Sequence, residues 1–301
     1  MKKALTMTTI FQANSLNYGE GIANISELKK FHRGDGEVYT YASRQSIRYD
    51  IVRLGNELFG WNLDTVTKAS DGGKSVVQFK KDISIRDSVE MDLFGYLKTQ
   101  KGEGGEKRPA VVRLSHAISL EPYKSDLEFL NNMGLASRIG QDANLVNIEQ
   151  HHSFYTYTLT IDLNRVGVDG EIELPNEEKA NRVLQLLEVL KVLNRNIRGR
   201  QENLAPLFVI GGMYNVANPF FLGRVQLSTT GNGWTIQTKP IKETMEQTFA
   251  GEAIGKDTKI GILSGVFANE GEFYDLFSEQ VMPVEPFFQY VSKQIQLYYG
   301  V

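Results

Sequence analysis

Apolar and polar positions alternate along residues 4 to 12, ALTMTTIFQ, with Leu5, Met7 and Phe11 on one face and Thr6 and Thr8 on the other. That period of two predicts a β-strand. The pattern is clearest in HHSFYTYTLTIDL (151 to 163), where Tyr155, Tyr157, Leu159, Ile161 and Leu163 share one side and Thr156, Thr158, Thr160 and Asp162 the other. Between these stretches the period lengthens. Ile47, Ile51, Leu54 and Leu58 recur at helical spacing behind Ser43. A serine hydroxyl there can accept a first-turn N–H, so a helix is predicted to about Phe59. RPAVVRLSHAISL (108 to 120) reads as a strand, and so does PLFVIGGMY, which ends in glycines. From Asn176 the pattern is helical again, opened by Pro175 and carried to Gly199 as its C′ residue. FLGRVQLSTTGNGWTIQTK predicts a hairpin turning at GNG, and a last helix spans Pro286 to Tyr299.

Reduced to its regular parts, the order is strand, helix, strand, excursion, strand, helix, strand. This is the βαββαβ order of an α+β, ferredoxin-like fold. Two stretches exceed the minimal fold. Residues 60 to 107 carry the Gly-rich polar segments KASDGGKS and KTQKGEGGEKRP, and residues 121 to 149 separate the two central strands. The Thr-rich strand faces predict helices on one side of the sheet and a polar, usable surface on the other.

Charge changes this picture more than composition does. The chain has no cysteine, which excludes disulfides, thiolate zinc sites and cysteine nucleophiles. MKKALTMTTIFQ lacks an apolar signal core, and no apolar run approaches the ~20 residues of a membrane span, so a cytoplasmic protein without membrane contact is expected. The formal charge is −3, yet Ile241 to Val301 hold nine acids against four basic residues, leaving the first 240 residues at +2. Arg44 and Arg48 stand at i, i+4 in the opening turns of the first helix, in line with Gly55. With Ser43 and Gln45 beside the free N–H groups of a helix start, they read as an anion clamp. They read equally as a solvated basic face, partly neutralised by Asp50 and Glu57. On the second predicted helix Lys191, Arg195 and Arg198 form one row, with Arg200 just beyond. Two one-sided basic rows favour a phosphodiester ligand.

Other chemistry finds less support. His32, His116, His151 and His152 do not form a ligand set with a carboxylate, so no metal and no cofactor are expected. GEAIGK (251 to 256) is one residue short of a phosphate loop, and GEGIAN (19 to 24) is a fragment of a dinucleotide fingerprint. Asp92 in MDLFG reads as a turn or cap residue. Tyr155 and Tyr157 could be a base-stacking platform, but they share a face with Leu159 and Ile161 and read as core.

Several stretches together resemble a known family. ALTMTTIFQANSLNYGEGIANISELKKF, YTYASRQSIRYDIVR, RPAVVRLSHAISL, FYTYTLTIDLNRVG and LFVIGG, in consistent order from about residue 4 to 215, look like the DevR-like (Cas7-type) backbone subunit of type I CRISPR surveillance complexes, subtype I-B. The resemblance implies a modified RNA-recognition (RRM, ferredoxin-like) palm with a fingers insertion and a thumb hairpin. The palm would take residues 1–60, 108–118 and 151–301, the last with a hairpin and an acidic C-terminal segment. The fingers would be 61–107 and the thumb 119–150. It implies a non-catalytic subunit whose copies polymerise along the crRNA guide. Its partners would be target DNA paired with the guide, neighbouring copies, and Cas5-, Cas8- and Cas6-type subunits. The family's serine, glutamine and basic residue fall on Ser43, Gln45 and Arg48, and its basic loop on Lys30, His32 and Arg33. Asn14 and Asn17 fall in the loop that precedes it. Geometry adds Arg44, Arg195, Arg198 and Arg200 as RNA contacts, and Met133 and Leu135 are nominated as thumb wedges. The rival implication is a metal-dependent target-RNA endoribonuclease of the type III kind. That reading would need an aspartate in the loop from Ala13 to Arg33, which offers only Glu20 and Glu27.

Overall fold

The computed structural model describes residues 3–21, 23–71, 74–100, 103–231 and 233–301. The first two residues of the MKK start, the centres of both Gly-rich segments in the 60–107 stretch, Ile22 of GEGIAN and the asparagine of GNG lie outside the described residues.

Nine strands form the central sheet: β1 (Ala4–Asn14), β2 (Lys30–His32), β3 (Val38–Ala42), β4 (Val112–Leu114), β5 (Ala117–Ser119), β6 (His152–Asp162), β7 (Phe208–Tyr214), β8 (Thr258–Ile262) and β9 (Val281–Pro283). Their order is β9-β8-β7-β1-β6-β5-β3-β2, and β4 also pairs with β6. The two alternating segments of the sequence lie side by side, with Ala4 opposite Asp162 and Asn14 opposite His152. All pairings are antiparallel except β8 with β9. Among the described residues these helices of six residues or more accompany the sheet: α1 (Arg44–Phe59), α2 (Val89–Phe94), α3 (Asn176–Lys191), α4 (Thr238–Glu246), α5 (Glu270–Phe277) and α6 (Val284–Tyr299). The architecture is mixed α+β around one sheet. Among the described residues no helix is long and apolar enough to cross a membrane.

On one face, Leu5, Met7, Phe11, Tyr155, Tyr157 and Leu159 join Ile47 and Ile51 of α1, Leu186 and Leu187 of α3, and Phe287 and Val291 of α6 in a single apolar core. The tyrosines are core, as their apolar neighbours on the strand predict. The opposite face departs from expectation. Its centre is not an open polar surface, because the segments that carry Phe221, Ile241, Phe267 and Phe273 fold back over it. Ile10, Phe154, Phe208 and Ile260 pack there against Phe221, Ile241, Phe267 and Phe273. Thr6, Thr8, Thr158 and Thr160 are buried beneath this layer. They satisfy themselves locally: Thr8 and Thr158 share a 2.8 Å hydrogen bond, and Thr6 donates to the Asn218 carbonyl at 3.1 Å.

Two helical readings are corrected. The helix from Asn176 stops at Lys191, and its expected continuation is a hairpin, Asn194–Ile197 with Arg200–Asn203. Arg198 (φ 48°) and Gly199 (φ 76°) form its two-residue turn, the double left-handed conformation that suits the strand twist. Leu193 and Leu204, both fully buried, clamp the hairpin base, so core burial outweighs helix propagation. Lys191, Arg195 and Arg198 therefore do not share a helix face. On α1, Leu58 stands 51% exposed at the end of the apolar stripe.

Gly55 stays on the helical line of Arg44 and Arg48 but is buried. A Cβ there would lie 2.3 Å from the Trp61 ring, which folds back on α1 and donates from Nε1 to the Gln185 side chain at 2.7 Å. Gly55→Ala is expected to expel the indole at about 1–3 kcal/mol, read as a red shift in tryptophan emission with an earlier urea midpoint.

Candidate nucleic-acid interface

α1 starts where the sequence places it. Ser43 is its N-cap, accepting from the Ser46 N–H at 3.2 Å, and its own N–H donates to the Asn17 side chain at 3.0 Å. The Arg44 N–H donates to His116 Nδ1 at 3.0 Å. Two of the N–H groups expected to receive an anion are thus bonded within the protein. The positive character of this corner comes from side chains.

Arg44 and Gln45 project from α1 into solvent. Together with Arg48, Phe94, Leu114 and the exposed Arg113 they line a cleft of about 400 Å³. Arg48 pairs with Glu90 at 2.6 Å and covers the Phe94 ring. The cleft shares Arg44 and Leu114 with a second groove of about 840 Å³ that runs past His32, Arg33, His116 and Ile118 to the 222–227 segment. Among the described residues no carboxylate lines the smaller cleft, and Asp35 is the one acid lining the larger. Arg33 lies over the Tyr39 ring at 5.0 Å. Arg33, His32, Arg44, Gln45 and Arg48 are thus brought together along one continuous surface.

The remaining candidates are engaged elsewhere. Lys30 pairs with Glu149 at 2.7 Å. Arg195 pairs with the buried Asp50 at 2.6 Å and donates to the Leu16 carbonyl. Arg198 covers the Tyr18 ring at 4.1 Å and donates to Ser26. Arg200 donates to Gln150 at 3.1 Å and lies 3.5 Å from Glu202. Asn14 accepts from Ser15 at 2.7 Å and, with Gln150, ties down the root of the second excursion. Glu20 is exposed and Glu27 half-buried on the loop after β1, and among the described residues no three acidic or histidine side chains gather as a metal site.

The second excursion is a projecting hairpin, Asp126–Asn131 with Leu145–Gln150, edged in parallel by Ile25–Ser26. Its tip is one helical turn, Met133–Ala136, on which Met133 is 63% and Leu135 61% exposed. The first excursion carries two further hairpins, Val66–Asp71 with Lys74–Phe79 and Tyr96–Gln100 with Glu103–Arg108, on either side of α2.

Four groups of this surface escape a reading of the sequence for nucleic-acid contacts. Arg113 sits in an apolar strand segment. Phe31, Tyr41 and His116 come from three separate segments, yet Phe31 and Tyr41 stack at 4.1 Å and 15° with His116 beside both. The usable signal lies in the turn RGDGE: it sets β2 against β3, and Phe31 and Tyr41 become diagonal cross-strand neighbours.

Residues 5–227 match the family described as "CRISPR-associated negative auto-regulator DevR/Csa2". No curated protein matches the sequence. Among solved structures, a chain of a "CRISPR RNA-guided surveillance complex, pre-nicking" is 11% identical with a TM-score of 0.58, covering 99% of each chain. A chain of a "CRISPR RNA-guided surveillance complex" is 13% identical with a TM-score of 0.56, covering 98% of this chain and 99% of that one. At these identities the likeness is one of fold.

Proposed function

The chain belongs to the DevR/Csa2 family of CRISPR-associated proteins, and from that membership we propose that it is a non-catalytic backbone subunit of a guide-RNA surveillance complex. Copies line up along the crRNA, each gripping ribose-phosphate without reading sequence, so that guide bases stay free to pair with target DNA. Neighbouring copies and Cas5-, Cas8- and Cas6-type subunits complete the assembly.

In this reading β1, α1, β4–β5, β6, α3 and β7 are the βαββαβ palm. The sheet order supports it: the fourth palm strand, β7, lies beside β1, followed by β6 and then β5. Residues 61–107 serve as fingers and 119–150 as the thumb, with Met133 and Leu135 as wedges at its tip.

The observation that carries the proposal is the pair of contiguous grooves around Arg44, lined by arginines and nearly free of acids in a chain of net charge −3. Phosphate contacts confer affinity and register without base preference. The test is Arg44→Gln combined with Arg113→Gln. On single-stranded RNA each phosphate contact contributes about 0.7 to the salt slope, so the double variant should bind less tightly across all sequences with a slope shallower by about 1.4. Arg48→Ala should change the slope less, because Glu90 already neutralises that guanidinium. Unchanged affinity and slope in the double variant would remove these grooves from the RNA path.

A further inference from the structure

His151 stands where the projecting hairpin returns to the sheet, between the hairpin strand Leu145–Gln150 and β6. It is 6% exposed, and its backbone is tied to the end of β1: the carbonyl accepts the Ser15 N–H at 3.0 Å, and the N–H donates to Ser15 Oγ at 2.9 Å. The ring is held from two sides. The Pro122 carbonyl accepts from it, on the arm by which the chain leaves the sheet for the hairpin. Nδ1 lies 2.7 Å from the Thr40 hydroxyl of β3. Tyr155 Oη is 2.9 Å beyond Thr40 and donates to the His151 carbonyl at 3.3 Å. Tyr123 packs T-shaped on the imidazole with ring centres 5.5 Å apart, and its N–H reaches the Val38 carbonyl of β3 at 2.7 Å. The outgoing arm is thus seated on the sheet around one imidazole.

This chain of hydrogen bonds works in either direction. With the ring neutral and its proton on Nε2 toward Pro122, Tyr155 donates to Thr40 and Thr40 to Nδ1. A proton added at Nδ1 turns the donors round: Nδ1–H to Thr40, Thr40 to Tyr155, Tyr155 to the His151 carbonyl. No bond is lost, so the added proton costs only the burial of a charge. Among the described residues no carboxylate forms an ion pair with His151. Glu121 and Asp126 of the outgoing arm favour its charge, and His152 of β6 opposes it. Glu121 already accepts from the Ser153 hydroxyl and the Phe154 N–H. Glu149 is taken by Lys30 and the Leu28 N–H, and Lys30 also lies over the Tyr123 ring. Burial pushes Tyr123 and Tyr155 up, so both stay neutral phenols. Burial likewise outweighs the two acids at His151 and holds the ring below the ordinary histidine value, neutral at pH 7.

We propose that His151 is a proton-operated pin: neutral, it seats the 120–126 arm on the sheet, and in acid the arm lifts and frees the projecting hairpin to swing. Lifting opens the ring to water, where it takes a proton at its ordinary value of 6.5. The lifted form therefore gains on the seated one as pH falls below that value, and the gain ends below the seated ring's own value. One proton is taken up, so lifting rises by at most about tenfold per pH unit. The pin is a property of the free chain and does not rest on the RNA-binding reading.

The experiment follows hydrogen exchange at the Tyr123 amide of the full chain between about pH 7.5 and 5.5, which brackets the ordinary histidine value. Rates are corrected for intrinsic exchange and referred to β1 amides paired with β6. Protection at Tyr123 should fall by several-fold to about tenfold across this window in the parent. It should stay level in His151→Gln, which cannot titrate, and fall as in the parent in His152→Gln, whose histidine is exposed. Protection that is equal at both ends of the window in the parent would overturn the pin, and so would an undiminished fall in His151→Gln. Should His151→Gln not fold, the parent's own His151 ring resonance decides. Titration below the ordinary histidine value, together with the fall at Tyr123, upholds the pin; titration at or above that value overturns it.

Discussion

Asp92→Asn is expected to remove about 3–5 kcal/mol of folding stability, the penalty for leaving buried guanidinium groups without their counter-charge. Asp92 is fully buried in α2 and lies between two arginines that are themselves almost fully buried. Arg108 reaches one carboxylate oxygen at 2.7 Å and Arg182 the other at 2.9 Å. The Gly167 N–H donates to both oxygens. Around this centre Arg108 donates to the Val168 and Arg165 carbonyls, and Arg182 to the Ile85 carbonyl and Glu178. The network joins four segments: α2, the second hairpin of the 61–107 stretch, the 163–169 turn and α3. Its loss should therefore appear twice, as an earlier urea midpoint and as faster proteolysis within residues 61–107. Replacing the whole set, Asp92→Leu with Arg108→Met and Arg182→Met, should recover most of the stability, because no charge is then stranded. If Asp92→Asn unfolds at the parent's midpoint, the network does not anchor the insertion.

The same residue shows where sequence reading ends. In MDLFG an aspartate ahead of two apolar residues fits a cap or turn, and the arginines that contradict this lie 16 and 90 positions away. Local signals succeeded where the deciding physics was local. Ser43 caps α1 from three residues away, and the strict alternation of β6 fixes which face enters the core. They failed at Lys191–Gly199, where helical spacing, terminal cations and a glycine fit a helix end and a hairpin turn alike. The choice fell to Leu193 and Leu204, and to Asp50, which draws Arg195 to α1 from 145 positions away. The groove divides in the same way. Arg44 and Arg33 are visible as cations beside a helix start and a turn. Arg113, Phe31, Tyr41 and His116 acquire meaning only once β2, β3, β4 and β5 lie side by side. The threonine faces failed for a related reason: β-branched hydroxyls suit a solvated strand, and they suit equally a buried one whose partners sit on the next strand.

Gly212→Ala is expected to cost about 3 kcal/mol or more, at or beyond the upper end of ordinary overpacking. The strand predicted over PLFVIGGMY forms as β7, which runs through both glycines to Tyr214 and is buried along its length. A Cβ on Gly212 would fall 1.9 Å from the Asp257 carbonyl, and one on Gly211 would fall 2.0 Å from the Thr6 carbonyl. β7 is thus pinched between the backbone of β1 and the backbone entering β8. Neither obstacle is a side chain that can rotate away, so the sheet itself would have to open between its central strands. Gly271→Ala supplies the contrast. It lies in α5 with nothing within 4 Å of the added carbon, and alanine there should stabilise by about 0.4–1 kcal/mol through the unfolded chain's lost freedom. Urea midpoints of the two variants should therefore move in opposite directions from the parent. A Gly212→Ala protein as stable as the parent would mean that β7 and β8 can separate without cost. The stacked core of Phe208, Ile210 and Ile260, which closes the second face of the sheet and supports the groove beside it, would then not be rigid.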